Sequence, residues 1–265
     1  GYNNIIDVDS GLRCLNEFNE PTCVILKHNN PCGVASSNKI IDAFVKAYDS
    51  DSKSAFGGIV LLNRKIDRNF ANKLSKYFFE IILAPKFDKF AINILGKKKR
   101  LILLNIDKYK IKKYECRSTL FGDLYQDIDR TKINKSFCKL VSHKKISSKM
   151  YDDLLFSLKV VKHLKSNAIV LSKNKQTLGL GSGQTNRIDS LLIALKKYKN
   201  NFKVKNFVCS SDGFFPFTDS LKILKKNNCR IVAQPSGSIN DKKNIVFAKE
   251  NKISLYFIKN RLFKH

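Results

Sequence analysis

The sequence predicts an α/β protein, a three-layer α/β/α arrangement built in two similar halves. Three observations carry that expectation. Short runs rich in Ile, Val and Leu alternate with stretches whose apolar residues recur every three or four positions. The alternation occurs twice along 265 residues, and 43% hydrophobic residues over that length suffice for a buried core.

In the first half "SGLRCLNEF" reads as helix and "TCVILK" as strand, "NKIIDAFVKAY" as helix and "GGIVLLN" as strand, "RNFANKLSKYF" as helix and "EIILAP" as strand. A helix over 87–97 and the strand "RLILL" follow, then a less regular, lysine-rich connector to residue 146. The second half opens on "SSKMYDDLLFSLKVVKHLKS", where Met150, Leu154, Leu155, Leu158, Val161 and Leu164 lie at helical spacing. Ser147 or Ser148 is the expected N-cap, and Asp152 and Asp153 suit the early turns. The strand "AIVLSK" turns at Asn174-Lys175 into "TLGLG", a hairpin-like pair. Helices "RIDSLLIALKKY", "TDSLKILKKN" and "NDKKNIVFAKE" then alternate with strands "KNFVCS", "RIVAQ" and "ISLYFI". A soft boundary near residue 146 divides the chain into 1–146 and 147–265.

No apolar run reaches the about eighteen residues of a membrane span, so no membrane partner is expected. The start of the chain has neither a secretory nor a transit-peptide pattern, and it lacks an initiator Met, as a fragment or a processed product would. Seven cysteines, an odd number with no CxxC pair, argue against structural zinc and a disulfide framework and suit a reducing cytoplasm. The net charge of +28 taken alone suggests polyanion binding. Lys is nonetheless spread along the whole chain with abundant Asn, Ile and Phe, the bias an A+T-rich genome imposes on exposed positions. The aromatics do not interleave with the basic clusters, so nucleic acid is not the expected partner. "GKKKR" at 96–100 reads as cations near a helix C-terminus.

Four segments could carry chemistry. "KHNNPCGVA" ends a strand on Lys27-His28, and the Pro31–Gly33 turn could bring both side chains to one rim. The neighbouring ammonium favours a neutral imidazole that can accept a proton. Cys32, near an expected helix start, could be a thiolate, but no base partner can be named for it. "TLGLGSGQTNR" is neither a P-loop nor GxGxxG; it is a glycine-rich strand-to-helix turn with Arg187 in the first helical turn, suited to an anion or polar ring. "SSDGFFPFTD" places aromatics past a strand end, where α/β folds bind flat ligands, though some of these Phe also suit the core. "QPSGSIND" leads into a helix whose amides and Ser238 could take an oxyanion. The terminal "NRLFKH" is either a frayed tail or a phosphate contact through Arg261.

In order along the chain, "YNNI", "KHNNPCGVA", "SAFGGIV", "EIILAP", "VKHLKSNAIV", "GLGSGQTNR", "SSDGFFPF", "QPSGSIND" and "RLFKH" resemble the AICAR formyltransferase part of the bifunctional purine biosynthesis enzymes, from residue 1 to residue 265. The resemblance implies a cytidine-deaminase-like fold in two subdomains, without the deaminase zinc, and a homodimer with active sites at its interface. The implied reaction moves a formyl group from 10-formyltetrahydrofolate to the 5-amino group of AICAR. By resemblance Lys27 and His28 are the catalytic pair and Asn167 an orienting residue. Asn4, Phe56, Gly57, Glu80, Phe214 and Arg261 match AICAR-binding positions, with Arg261 on the phosphate. Arg187, Ile188, Pro216, Phe217 and Asp219 match the folate side, and some relatives hold a potassium ion near Asp212. The IMP cyclohydrolase part of such enzymes is absent from this chain, as is an upstream "RYGENPHQ"-like segment expected to help bind substrate phosphate across the dimer. Gly11, Cys14 and Ser157 replace the usual Ala, Leu or Val, and Trp. Thr185-Asn186 stand for Met-Ser, and "QPSGS" carries Ser for a usual Gly.

Overall fold

A computed structural model describes all of residues 1–265. The chain runs through one string of elements twice. The first pass is α1 (Tyr2–Leu15), the hairpin β1 (Thr22–Lys27) and β2 (Asn30–Ser36), α2 (Ile40–Ser50), the short α3 (Ser52–Ala55), β3 (Ile59–Leu62), α4 (Arg68–Leu74), β4 (Ile81–Ala84), α5 (Lys89–Leu95) and β5 (Ile102–Asn105). Three strands connect the passes: β6 (Tyr114–Thr119), β7 (Gly122–Asp127) and β8 (Cys138–Ser142). The second pass is α6 (Ser148–Val161), the hairpin β9 (Ile169–Lys173) and β10 (Gln176–Gly181), α7 (Arg187–Asn201), β11 (Val208–Ser211), α8 (Asp219–Lys226), β12 (Ile231–Pro235), α9 (Asp241–Glu250) and β13 (Ser254–Ile258).

Eleven strands form one sheet in the order β5-β4-β3-β1-β2-β10-β9-β11-β12-β13-β8. In each half the hairpin is antiparallel, the third strand runs antiparallel to the hairpin's first strand, and the next two are parallel to the third. The halves join where β2 and β10 pair antiparallel at Ala35 and Gln176, and β8 closes the far edge against β13. The expected α/β/α layering is thus present. Cys23 to Leu26 and Ile169 to Leu171 have no more than trace exposure, as strands covered on both faces require, and their near-continuous apolar runs follow from it. On one face α1 and α6 share a core with strands of both halves, including Leu15, Val24, Leu61, Leu158, Val170 and Val208. On the other face the cover is separate: α2, α4 and α5 pack through Phe44, Phe70 and Leu95, and α7, α8 and α9 through Leu191, Leu221 and Ala248.

The structure corrects the sequence reading at several places. The turn after β1 is not at Pro31–Gly33 but at His28 and Asn29, whose φ angles are 53° and 62°. Asn30 to Ser36 is itself a strand. A two-residue turn with both residues left-handed matches hairpin twist, and Asn tolerates that conformation. Pro31 is accommodated because the β1–β2 register shifts between Ile25 and Leu26, beside it. Gly33 serves packing: a Cβ there would stand 2.0 Å from the Ala47 carbonyl oxygen, so its absence lets α2 lie close on β2. The first helix begins at Tyr2, ahead of the expected Ser10. The connector holds a separate two-stranded sheet, β6 and β7, whose residues are mostly exposed and so show no apolar alternation.

Candidate active site

The site is built where β1, an interior strand of the sheet, ends. Lys27, half-buried, donates from Nζ to the Phe56 carbonyl oxygen at 2.6 Å. Phe56 follows α3, whose N-cap Asp51 accepts from the Ser54 amide at 3.1 Å and from its hydroxyl at 2.7 Å. The Gly57 amide donates to Phe78 and the Glu80 amide to Gly58, at 3.0 and 3.1 Å, and the Phe56 and Phe78 rings lie 5.0 Å apart. Lys27, Phe56, Gly57 and Glu80 therefore share one rim. His28 is exposed on the turn. The Asn29 amide donates to Asp7 Oδ1 at 2.6 Å, and Asn4 lies one turn earlier on the same helix, α1.

A cleft of about 300 Å³ opens here, lined by Lys27, His28, Asn30, Cys32 and Ser54 of the first half and Ser182 of the second, among others. Cys32 lies in β2, not at a helix start. Its thiol donates to the Ile25 carbonyl oxygen at 3.5 Å, and burial pushes its pKa up to about 12. A thiolate nucleophile is excluded at neutral pH.

The turn is fastened to the second half by Asn30, whose Oδ1 accepts from the Lys165 amide at 3.0 Å. Two residues on, the Ser166–Asn167 peptide is cis. Asn167 donates from Nδ2 to the Gln184 and Thr185 carbonyls at 2.9 and 3.2 Å. Its Oδ1 accepts from Arg187 Nη1 at 2.6 Å. Arg187, first residue of α7, also donates from Nε to Ser211 Oγ and from Nη2 to Asp212 Oδ1, each at 2.9 Å. The sequence reading turned Arg187 toward an anion or a polar ring; the folded chain turns it inward, with 9% of its side chain exposed. Burial lowers its pKa while the Asp212 carboxylate opposes that shift. Asp212, wholly buried, accepts from Ser166 Oγ at 2.6 Å through its other oxygen. Gly213 leaves room for this pair, because a Cβ would stand 2.2 Å from Arg187 Nη2 and 2.7 Å from the Phe263 ring and one of them would have to shift.

The C-terminal residues are docked, not frayed. The Leu262 amide donates to the Asp212 carbonyl oxygen at 2.9 Å and the Lys264 amide to Ser166 Oγ at 3.1 Å. Arg261 is exposed, with its guanidinium 5.2 Å from the Phe214 ring centroid and 5.9 Å from that of Phe263. Pro216 and Phe217 are exposed just before α8, Asp219 is its first residue, and Ile188 is half-buried beside Arg187. Asn167, Arg187, Phe214 and Arg261 thus form a second group around Asp212. Asp7, Asn30, Ser166 and Ser211 brace the two groups, and sequence reasoning missed all four because each bracing bond spans 20 or more residues.

All seven cysteines are free thiols, and nowhere do three or more His, Cys, Asp or Glu side chains converge as metal ligands. No helix is long and apolar enough to cross a membrane.

The family model described as AICARFT/IMPCHase bienzyme matches residues 1–197. The chain is 46% identical over 267 residues to the bifunctional purine biosynthesis protein PurH of Caldicellulosiruptor saccharolyticus, covering 100% of this chain and 51% of that protein. To the PurH protein of Caldicellulosiruptor bescii it is 46% identical over 266 residues, with the same coverage. To that of Fusobacterium nucleatum it is 44% identical over 266 residues, covering 100% of this chain and 52% of the relative. The chain therefore spans about half the length of the curated relatives it matches.

Proposed function

The chain belongs to the AICARFT/IMPCHase bienzyme family, and from that premise we propose that it catalyses formyl transfer from 10-formyltetrahydrofolate to AICAR in de novo purine biosynthesis. The observation that carries the reading is the cleft itself. Lys27 and His28 line one side of it, and the Asn30–Lys165 hydrogen bond holds that side against the segment bearing Asn167.

The chemistry suits these side chains. The 5-amino group of AICAR is a weak nucleophile because its lone pair is conjugated with the imidazole and carboxamide. His28 accepts the amine proton, directly or through the carboxamide, as the nitrogen attacks the formyl carbon. Lys27 has N–H donors beyond the one given to Phe56, and these stabilise the oxyanion of the tetrahedral intermediate. Collapse breaks the bond to N10 of the folate, which takes up a proton and leaves as tetrahydrofolate. Asn167, fixed by Arg187 and two backbone carbonyls, orients the reactants.

Asn4, Phe56, Gly57, Glu80, Phe214 and Arg261 bind AICAR in this reading. Arg187, Ile188, Pro216, Phe217 and Asp219 form the folate side, Arg187 through the residues it holds. A potassium ion at Asp212 fits poorly: the single carboxylate is already neutralised by Arg187 and bonded to Ser166, so no step is routed through an ion. We further propose two subdomains, 1–146 and 147–265, a homodimer with active sites at its interface, and a cytoplasmic setting.

The test is the absorbance of tetrahydrofolate formed from 10-formyltetrahydrofolate and AICAR. His28→Ala is expected to lower turnover by about two to four powers of ten while calorimetry still detects AICAR binding. Near-normal turnover in that variant would remove His28 from the mechanism. Because the chain spans half of its relatives, the assay is run beside a version extended upstream. Activity confined to the longer version would make this chain an impaired fragment.

A further inference from the structure

Residues 214–217 belong to no helix or strand, yet three side-chain amides from β12, the loop after it and α9 hold their backbone. The Phe215 amide donates to Gln234 Oε1 at 2.9 Å, and the Phe215 carbonyl oxygen accepts from Asn244 Nδ2 at 2.9 Å. The Pro216 carbonyl oxygen accepts from Asn240 Nδ2 at 2.7 Å. Gln234 is the penultimate residue of β12, Asn240 is the residue before α9 and Asn244 is the fourth residue of that helix. Gln234, Asn244 and Phe215 are wholly buried.

No other protein group bonds Gln234 Nε2 or Asn244 Oδ1, so the one protein hydrogen bond each buried side-chain amide makes is to the Phe215 backbone. Burying an amide half-satisfied is a poor way to stabilise a fold, because the unpaired half keeps its desolvation cost. It is an effective way to locate one backbone unit. With Phe215 sunk into the core, its neighbours point elsewhere: Phe214 lies under Arg261, and Phe217 is 61% exposed.

We infer that Gln234, Asn240 and Asn244 are positioning residues that fix residues 215–217 as a rigid shelf, with Phe217 its exposed aromatic face, for the flat ring system of the folate co-substrate. The assignment of that ligand rests on the formyltransferase reading; the clamp itself does not. A preset shelf lowers the ordering cost of binding, so loosening it weakens folate binding and leaves the chemical step untouched.

The experiment compares wild-type chain with Asn240→Ala, Asn240→Gln and Gln234→Met, by kinetics and by backbone hydrogen exchange. Asn240 is half-buried, so its variants keep the test alive if Gln234→Met fails to fold. In Asn240→Ala the KM for 10-formyltetrahydrofolate is expected to rise about tenfold, with kcat and the KM for AICAR within about twofold of wild type. Exchange is expected to quicken at residues 214–219 alone, and Asn240→Gln, which restores a donor, returns both readouts toward wild type. A lowered melting temperature with unchanged KM and unchanged exchange would overturn the inference, as would an equal loss in kcat. If wild-type chain neither turns over nor binds folic acid by calorimetry, the formyltransferase reading and the shelf's ligand fail together. Exchange then still decides the clamp: quickening confined to 214–219 keeps it, and no change removes it.

Discussion

Arg187 and Asp212 carry opposite charges with 9% and 0% of their side chains exposed, and three parts of the site hang on them. Arg187 holds the Oδ1 of Asn167, Asp212 holds Ser166, and the tail bearing Arg261 hangs from the Asp212 carbonyl. Removing one member of a buried pair leaves the other charge uncompensated. Asp212→Ala is therefore expected to lower the unfolding free energy by about 3–5 kcal/mol in urea titration, and turnover with it. Gly213→Ala reaches the same pair by collision with Arg187 and is expected to cost about 1–3 kcal/mol. Lys27 and His28 could be singled out from the sequence because a base and a cation stand side by side at a strand end. The inward turn of Arg187 could not be, since its acceptors are scattered over residues 167, 211 and 212.

The β1–β2 hairpin is the element that presents His28, and its geometry is repeated in the second half. Asn174 and Lys175 have φ of 51° and 52°, and their amides donate to the Asp153 carboxylate of α6 at 2.8 Å each, as Asn29 donates to Asp7 of α1. Each half thus anchors its hairpin turn on a carboxylate from the preceding helix. Asn29→Gly is expected to leave the melting temperature near wild type, whereas Asn29→Val, β-branched at a φ of 62°, is expected to cost about 1–2 kcal/mol by calorimetry. Asp7→Ala removes the acceptor of the Asn29 amide, and about 1 kcal/mol of stability with it. Turnover is expected to fall further than that loss explains, because the turn carries His28. The Asn174–Lys175 turn could be read from the sequence, as alternating apolar residues flank it closely. The equivalent turn at 28–29 was hidden by Pro31 and Gly33, stronger turn residues whose actual roles are a register shift and helix contact.

At the scale of the molecule, one face of the sheet carries a core common to both halves, and a buried polar cluster joins the turn after α1 to the residues just past α6. Glu17 Oε1 accepts from Lys162 Nζ at 3.0 Å and lies 3.1 Å from His163 Nε2. Burial works to raise the Glu17 pKa, but bonds and charges from His163 and Lys162 outweigh it and hold the carboxyl below 4.5. Burial likewise holds the His163 imidazole below 6.5, against the opposing pull of Glu17. Both folded-state values are depressed, so in acid the unfolded chain binds more protons and stability falls with pH. The loss is expected to begin near the ordinary histidine value of 6.5 and to deepen below 4.5, measured by urea denaturation. His163→Gln is expected to flatten its upper part. Alternation of apolar runs established the layered fold and its duplication without any coordinates, because strand burial and helix periodicity are local patterns that burial writes into consecutive residues. Motif order likewise identified the family. The location of the His28–Asn29 turn, the inward Arg187 and the amide clamp on Phe215 came from the fold, because each depends on polar partners distant in sequence that leave no periodic trace.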